Sequence, residues 1–178
     1  MTTKTKRTSL IGPLYIGIDQ SYTGFAMTAI NDRGQHYTEV FKSKSKGMER
    51  MSEIKSFLIS FLGDYPPIAI AMEGYAFGST MSHQLGELGG MVKLVLWEMY
   101  TRPECRQPLI VPPTSLKKYI TGKGSVQKNQ ILMHVFKKWG IEMLDDNAAD
   151  SYGLARIVRN KHDHAYEREV YEKLTLPG

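Results

Sequence analysis

The sequence predicts an α/β domain built on one central sheet. Short apolar runs at residues 14–20 (LYIGIDQ), 24–30 (GFAMTAI) and 68–72 (IAIAM) read as strands, each bounded by polar or turn residues. Between and after them, apolar residues recur at three- and four-residue steps, which is helical spacing. The resulting order, βββαβαβααα, shows no internal repeat, low-complexity stretch or linker, and strands interleaved with helices form a single layered α/β unit.

Taken in order, the first two runs are neighbouring strands joined by the tight turn QSYT, and residues 36–42 alternate well enough to make a third. From 48 to 62, Met51, Ile54, Phe57, Leu58, Phe61 and Leu62 mark one helical face, and Pro66 and Pro67 stop that helix. The continuous run at 68–72 suits a central strand covered on both faces, and it delivers Glu73 at its end. A helix over 83–100 follows, carrying Gly86, Gly89 and Gly90. Glycine in a helix costs about 1 kcal/mol against alanine, so three of them point to close backbone packing or a partner. Residues 109–111 before Pro112 and Pro113 make the fifth strand. Helices are expected over 115–120, 126–139 and 146–159, the last capped by Asp145 or Asp146.

At 178 residues the chain has the size of one domain that folds without disulfides or a structural metal. We expect a single domain over 1–178, with 1–12 a flexible arm and the charged stretch 162–178 a peripheral tail. The lone cysteine, Cys105, excludes an internal disulfide and any cysteine-based zinc cluster, and suits a reducing, cytoplasmic setting. No signal-like or membrane-spanning apolar run is found, so no membrane partner is expected. The net charge of +5 and a pI near 9.2 favour a polyanionic partner without specifying one.

Acidic residues at the ends of apolar elements carry the chemistry. Asp19 follows YIGI, Glu73 follows IAIAM, and Asp146 and Asp150 lie four apart on one face of the late helix. Each has a bland reading: Asp19 is also a turn former, and Asp146 also an N-cap. Glu73 at the end of a wholly apolar run, and Asp150 one turn inside a helix, are harder to explain structurally, because a charge there is costly without a partner. If the two strands end at one sheet edge and the helix crosses it, the carboxylates converge and raise one another's pKa unless a cation joins them. Oxygen-only ligands select hard ions, so Mg²⁺, with Mn²⁺ as a substitute, is expected. Two ions roughly 3.5–4 Å apart would serve in-line phosphodiester hydrolysis, with no organic cofactor and no side-chain nucleophile.

These residues lead to a family. IGIDQSYTGFAM resembles the opening of the RuvC-type Holliday junction resolvases, AMEG resembles their second-strand Glu, and DDNAADSYGLA resembles their C-terminal acidic helix. The stretch PLIVPPTSLKKYITGKGSVQKNQI is similar to their succession of strand, short helix, Gly-rich loop and lysine. The likeness runs from about Tyr15 to Val158 in the right order. It implies an RNase H-like fold with a central mixed five-stranded sheet flanked by helices, a homodimer, and Mg²⁺-dependent paired nicking of a four-way DNA junction. Position by position it implies metal binding by Asp19, Glu73 and Asp150. Bacterial members space their last two acids three apart, which aligns Asn147; mitochondrial and some viral relatives resemble a DDxxAD spacing, met here by Asp146 and Asp150. Asp146 is taken as the fourth ligand, with Asp145 and Asn147 as alternatives. Many resolvases of this size are phage-encoded, so the cytoplasm of a bacterial or phage-infected cell is the implied setting.

For DNA, Lys117, Lys118, Lys123 and Lys128 cluster beside Gly122 and Gly124, where they would neutralise phosphates without reading sequence. The resemblance implies that Lys117 or Lys118, and Lys128, lie near the scissile phosphate, Lys128 with a catalytic role. A solvated lysine face is the bland alternative. Tyr75 and Phe77, in GYAFGST, are candidates to stack on an unpaired base, worth roughly 1–3 kcal/mol. The helix bearing Gly86, Gly89, Gly90, Met91, Leu94 and Leu96 is a candidate dimer face. Three rivals remain: another RNase H-like nuclease acting on branched DNA or RNA–DNA hybrid; a fragment of the sugar kinase and acetate kinase group, whose phosphate-binding hairpin GIDQSYTG also resembles; and, last because all the acids are present, a junction-binding protein without catalysis.

Overall fold

The computed structural model describes residues 9–75 and 82–176, without the side chains at positions 82, 128 and 129. Its sheet holds five strands: β1 (Leu14–Asp19), β2 (Phe25–Asn31), β3 (His36–Phe41), β4 (Ala69–Glu73) and β5 (Leu109–Val111), in the order β3-β2-β1-β4-β5. β1, β2 and β3 form an antiparallel meander, whereas β1, β4 and β5 run parallel, so the sheet is mixed. The helices are α1 (Gly47–Asp64), α2 (Ser82–Met99), α3 (Pro103–Arg106), α4 (Pro113–Thr121), α5 (Lys128–Trp139), α6 (Asp146–Arg159) and α7 (Ala165–Thr175).

Period-two alternation assigns the two faces of the sheet. Ile16 and Ile18 of β1 and Ile70 and Met72 of β4 pack with Ile54, Leu58, Phe61 and Leu62 of α1 and with Leu88, Val92 and Leu96 of α2. The opposite parity faces α6 and, beyond it, α4, α5 and α7, with Ala71, Val111, Tyr119, Val135, Tyr152, Leu154 and Ala155 buried together. Gly17 belongs to that second set. A Cβ there would overlap the Ser151 carbonyl oxygen and the Ala155 amide nitrogen, so its lack of a side chain is what lets α6 lie directly on β1. On β2 of the same face, the Thr28 hydroxyl meets the Ser151 hydroxyl at 2.8 Å.

The charged C-terminal stretch lies outermost, yet it is well anchored. α7 packs on α4 and β5, burying Val170 and Glu167. Glu167 pairs with Lys138 of α5 and accepts the His164 N–H at 3.1 Å. At the other end, Leu10 packs against the α1 side of the core and Asn31 donates to the Ile11 carbonyl at 3.1 Å. Among the described residues no helix is long and apolar enough to cross a membrane. Cys105 is buried and free.

Candidate active site

The parity that puts Gly17 against α6 also aims Asp19, two residues on, at that helix, and Glu73 follows Ala71 on β4 in the same way. Ile18 and Met72 are register partners in the parallel β1–β4 pair, so Asp19 and Glu73 stand side by side one step further along. α6 crosses this edge by its N-terminal turn, carrying Asp146 and Asp150 on one face. Asp19 is only 3 % exposed. Burial, the charge of Glu73 and that of Asp150, a hydrogen bond with the Glu73 carboxyl, and the charge of Asp146 all push the Asp19 carboxyl well above the usual carboxylate range. The four sequence-predicted acids are therefore brought together, and the leading influences on Asp19 include no compensating cation.

Among the described residues, no three His, Cys, Asp or Glu side chains close around one point as a preformed metal cage. Mg²⁺ seldom uses such a cage; it keeps several waters and takes one or two carboxylates together with substrate phosphates. The donor set at this edge is all oxygen and negatively charged, which fits a hard divalent ion.

Asp145 and Asp146 have separate surroundings. Asp145 is the N-cap of α6: its side chain accepts the Asn147 N–H at 3.0 Å, and Lys42 Nζ, just past β3, donates to its other oxygen at 2.7 Å. Although burial pushes the Asp145 carboxyl up, Lys42 and the backbone N–H groups hold it below the usual range. Asp146 instead acts on Asp19. The Asn147 amide lies over the backbone of Gly24, where a Cβ would come within 2.5 Å of its nitrogen.

Two contributors escape notice in the sequence. Gln20, buried at the end of β1, donates Nε2 to the Glu73 carbonyl at 2.7 Å and so ties together the two strand ends that carry acids. Its one legible signal is a polar residue continuing an apolar strand. Lys42 is the other, hidden because its partner is 103 residues away.

The basic and aromatic candidates are less concentrated. Lys123 is exposed on the loop after α4, and Lys118 turns to α7, where it meets Glu169 at 3.0 Å. Lys117 is half-buried on α4, Lys128 opens α5 with its side chain outside the description, and Phe77 lies outside the described residues. Gly124 returns to within contact distance of the Thr114 carbonyl, so the Gly-rich loop folds back along α4 toward the C-terminal end of β5. Tyr75 is exposed, with Lys93 Nζ 5.5 Å from its ring centroid, and its hydroxyl occupies the space where a Cβ on Gly89 would sit. Of the α2 glycines, Gly89 alone has such a neighbour among the described residues; Gly86 and Gly90 have none of those residues within 4 Å of a Cβ. Leu96 belongs to the core, while Leu94 is 57 % and Trp97 47 % exposed.

No protein-family model and no curated protein sequence matches the chain. Solved structures do. RuvC of T. thermophilus in complex with a Holliday junction substrate is similar at a TM-score of 0.65 and 19 % identity, over 81 % of this chain and 91 % of that one. A further Thermus thermophilus RuvC structure is similar at a TM-score of 0.64 and 18 % identity, over 90 % and 96 % respectively. The yeast mitochondrial Holliday junction resolvase Ydc2 is similar at a TM-score of 0.51 and 15 % identity, over 93 % and 84 %. What these proteins have in common with this chain is the fold: the mixed five-stranded, RNase H-like sheet with its covering helices.

Proposed function

We propose that this chain is a structure-selective endonuclease that resolves four-way DNA junctions by paired phosphodiester hydrolysis. The observation that carries this reading is the buried Asp19 carboxyl, at the end of β1, facing Glu73, Asp146 and Asp150. Asp19, Glu73, Asp146 and Asp150 are the ligands of divalent ions, Mg²⁺ with Mn²⁺ as substitute, two to a site. Bound there, such ions supply the charge that activates a water and stabilises the leaving oxygen of an in-line displacement. The chain's own part is to fix the donors. Gln20 holds the β1 and β4 ends together, Gly17 admits α6 to contact distance, and Asp145 with Lys42 pins the first turn of α6 so that Asp146 and Asp150 keep their aim. Lys123 and Lys128, with Lys117 and Lys118, take the backbone phosphates, and Tyr75 and Phe77 meet unpaired bases at the junction centre.

Paired nicking of a junction calls for two active sites. We assign the dimer face to α2, where Leu94 and Trp97 are exposed beside the open Gly86 and Gly90. A cavity of about 260 Å³ lined by Trp97, Arg106, Pro108 and Ile110 continues that face to the β5 edge. The setting is the cytoplasm of a bacterial or phage-infected cell, and 1–178 acts as one nuclease domain.

The test is a substrate panel in Mg²⁺: a labelled four-way junction, a linear duplex and an RNA–DNA hybrid of the same sequence. Paired nicks confined to the junction are expected. Cleavage of the hybrid alone would keep the metal site and replace the substrate, and no cleavage together with ATP hydrolysis would replace the reaction itself.

A further inference from the structure

The lysines proposed above as phosphate ligands, on α4, the loop after it and the start of α5, all follow β5. Between β3 and α1, the chain reads FKSKSKGMER from Phe41 to Arg50, and the two residue types in its centre separate by face. Lys42, Lys44 and Lys46 are exposed, whereas Ser43 and Ser45 are turned partly inward. Both serine hydroxyls donate to one carboxylate, Glu53 of α1, Ser43 to Oε2 and Ser45 to Oε1 at 2.9 Å. The Ser45 N–H donates to the Ser43 hydroxyl at 2.9 Å.

Arg50 fastens the segment to the turn after Asp19. It donates to the Ser43 carbonyl and, at 3.3 Å, to the Tyr22 carbonyl, with its guanidinium carbon 5.0 Å from the Tyr22 ring centroid. The Gly47 N–H donates to the Tyr22 hydroxyl at 3.1 Å. A segment held at so many points presents its lysines in a fixed row, so little of their affinity for an anion is spent on ordering the backbone. Lys42 is used internally, on Asp145. Lys44 and Lys46 have no ion-pair partner among the described residues.

The sheet order sets the distance between the two basic elements. β3 and β5 are the opposite edges, four strand spacings or roughly 19 Å apart. β1 and β4, which carry Asp19 and Glu73, lie between them. Next to the serine–lysine segment, a cavity of about 590 Å³ is lined by Ser52, Ser56 and Ser60 of α1, by the stacked rings of Phe41 and Phe57, and by the Glu53 carboxylate that the two serine hydroxyls engage. Hydroxyls and lysines are common phosphate ligands.

Resting on the nuclease reading above, we propose that the Lys42–Lys46 segment is a second phosphate clamp. Lys44 and Lys46 grip the sugar–phosphate backbone of the substrate where it leaves the carboxylate edge past β3, opposite the lysines of α4 and α5. The cut strand is thereby held on both sides of the acids. Glu53 and Arg50 are positioning residues, which shape the segment without touching DNA.

The experiment is equilibrium binding of a labelled four-way junction in EDTA, where binding is read without cleavage, over a series of salt concentrations. Wild type is compared with Lys44→Ala/Lys46→Ala and with Arg168→Ala/Lys173→Ala, which removes the same charge from the outer helix α7. The slope of log Kd against log salt is expected to become shallower by about 1.8 in the first variant, roughly 0.9 for each lost phosphate contact, and to stay unchanged in the second. A wild-type slope in the first variant, or equal loss in both, overturns the clamp and leaves the nuclease reading standing. Failure of the wild type to bind junction DNA overturns both.

Discussion

At the scale of single residues, α6 opens on two adjacent aspartates with different work. Asp145 is engaged by its own helix and by Lys42, whereas Asp146 faces the buried Asp19. Asp145→Ala is therefore expected to cost about 1 kcal/mol of stability, the usual loss for an N-cap, with cleavage kept within roughly tenfold. Asp146→Asn should leave the melting temperature nearly unchanged and lower the cleavage rate about a thousandfold, the equivalent of roughly 4 kcal/mol. Thermal denaturation and single-turnover cleavage on both variants check the division, and the reverse pattern would make Asp145 the ligand. The sequence alone leaves Asp145, Asp146 and Asn147 open, because a cap and a ligand are both aspartates at a helix start. The separation comes from Lys42 and Gly24, which are distant in the chain.

Among the elements, the seat of α6 on β1 depends on Gly17, and the penalty for filling it is predictable. Gly17→Ala sets a methyl against the Ser151 carbonyl and the Ala155 amide, backbone atoms that cannot turn aside. About 3 kcal/mol of destabilisation is expected, the upper end for overpacking. At Gly153 of the same helix the nearest atoms belong to the side chains of Ile120 and Leu116, which can shift, so Gly153→Ala should cost clearly less. Urea denaturation of the two variants tests the ranking. The buried pair of Glu167 with Lys138 makes a second prediction at this scale. Burial pushes the Glu167 carboxyl up, but Lys138 and the backbone N–H groups of His164 and Asp163 outweigh it and hold the group below the usual range. A depressed folded-state value gives stability that is present above the unfolded value of about 4.3 and lost as pH falls through the folded one. Glu167→Gln should thus cost about 3 kcal/mol near neutral pH, by leaving Lys138 buried without its partner, and progressively less below about pH 4. A penalty that does not change with pH would refute this. The strands and the five long helices through α6 were legible from apolar spacing. The anchoring of α7 was not, because its charged composition reads as solvated until Lys138 supplies the buried partner.

For the whole molecule, the pairing of β1 with β4 and the crossing of α6 bring residues 19, 73, 146 and 150 together, while the KSKSK segment follows edge strand β3 and α4 follows edge strand β5. The convergence of the acids was legible because each interrupts an apolar element; the KSKSK segment was not, because lysines in a connection look like any solvated loop until Glu53 and Arg50 fix them. If α2 is the dimer face, as proposed, Trp97→Glu should yield monomers by light scattering, with paired nicks giving way to single ones. The proposed role of Asp19 and its neighbours is to hold the divalent ions of a nuclease. It is tested most directly by adding Mg²⁺ to preformed junction complexes of wild type and Asp19→Asn and following single-turnover cleavage. Cleavage that starts with Mg²⁺ is expected in the wild type, with a loss of about a thousandfold in Asp19→Asn despite equal junction binding. Undiminished cleavage by Asp19→Asn, or wild-type cleavage in EDTA, would contradict it.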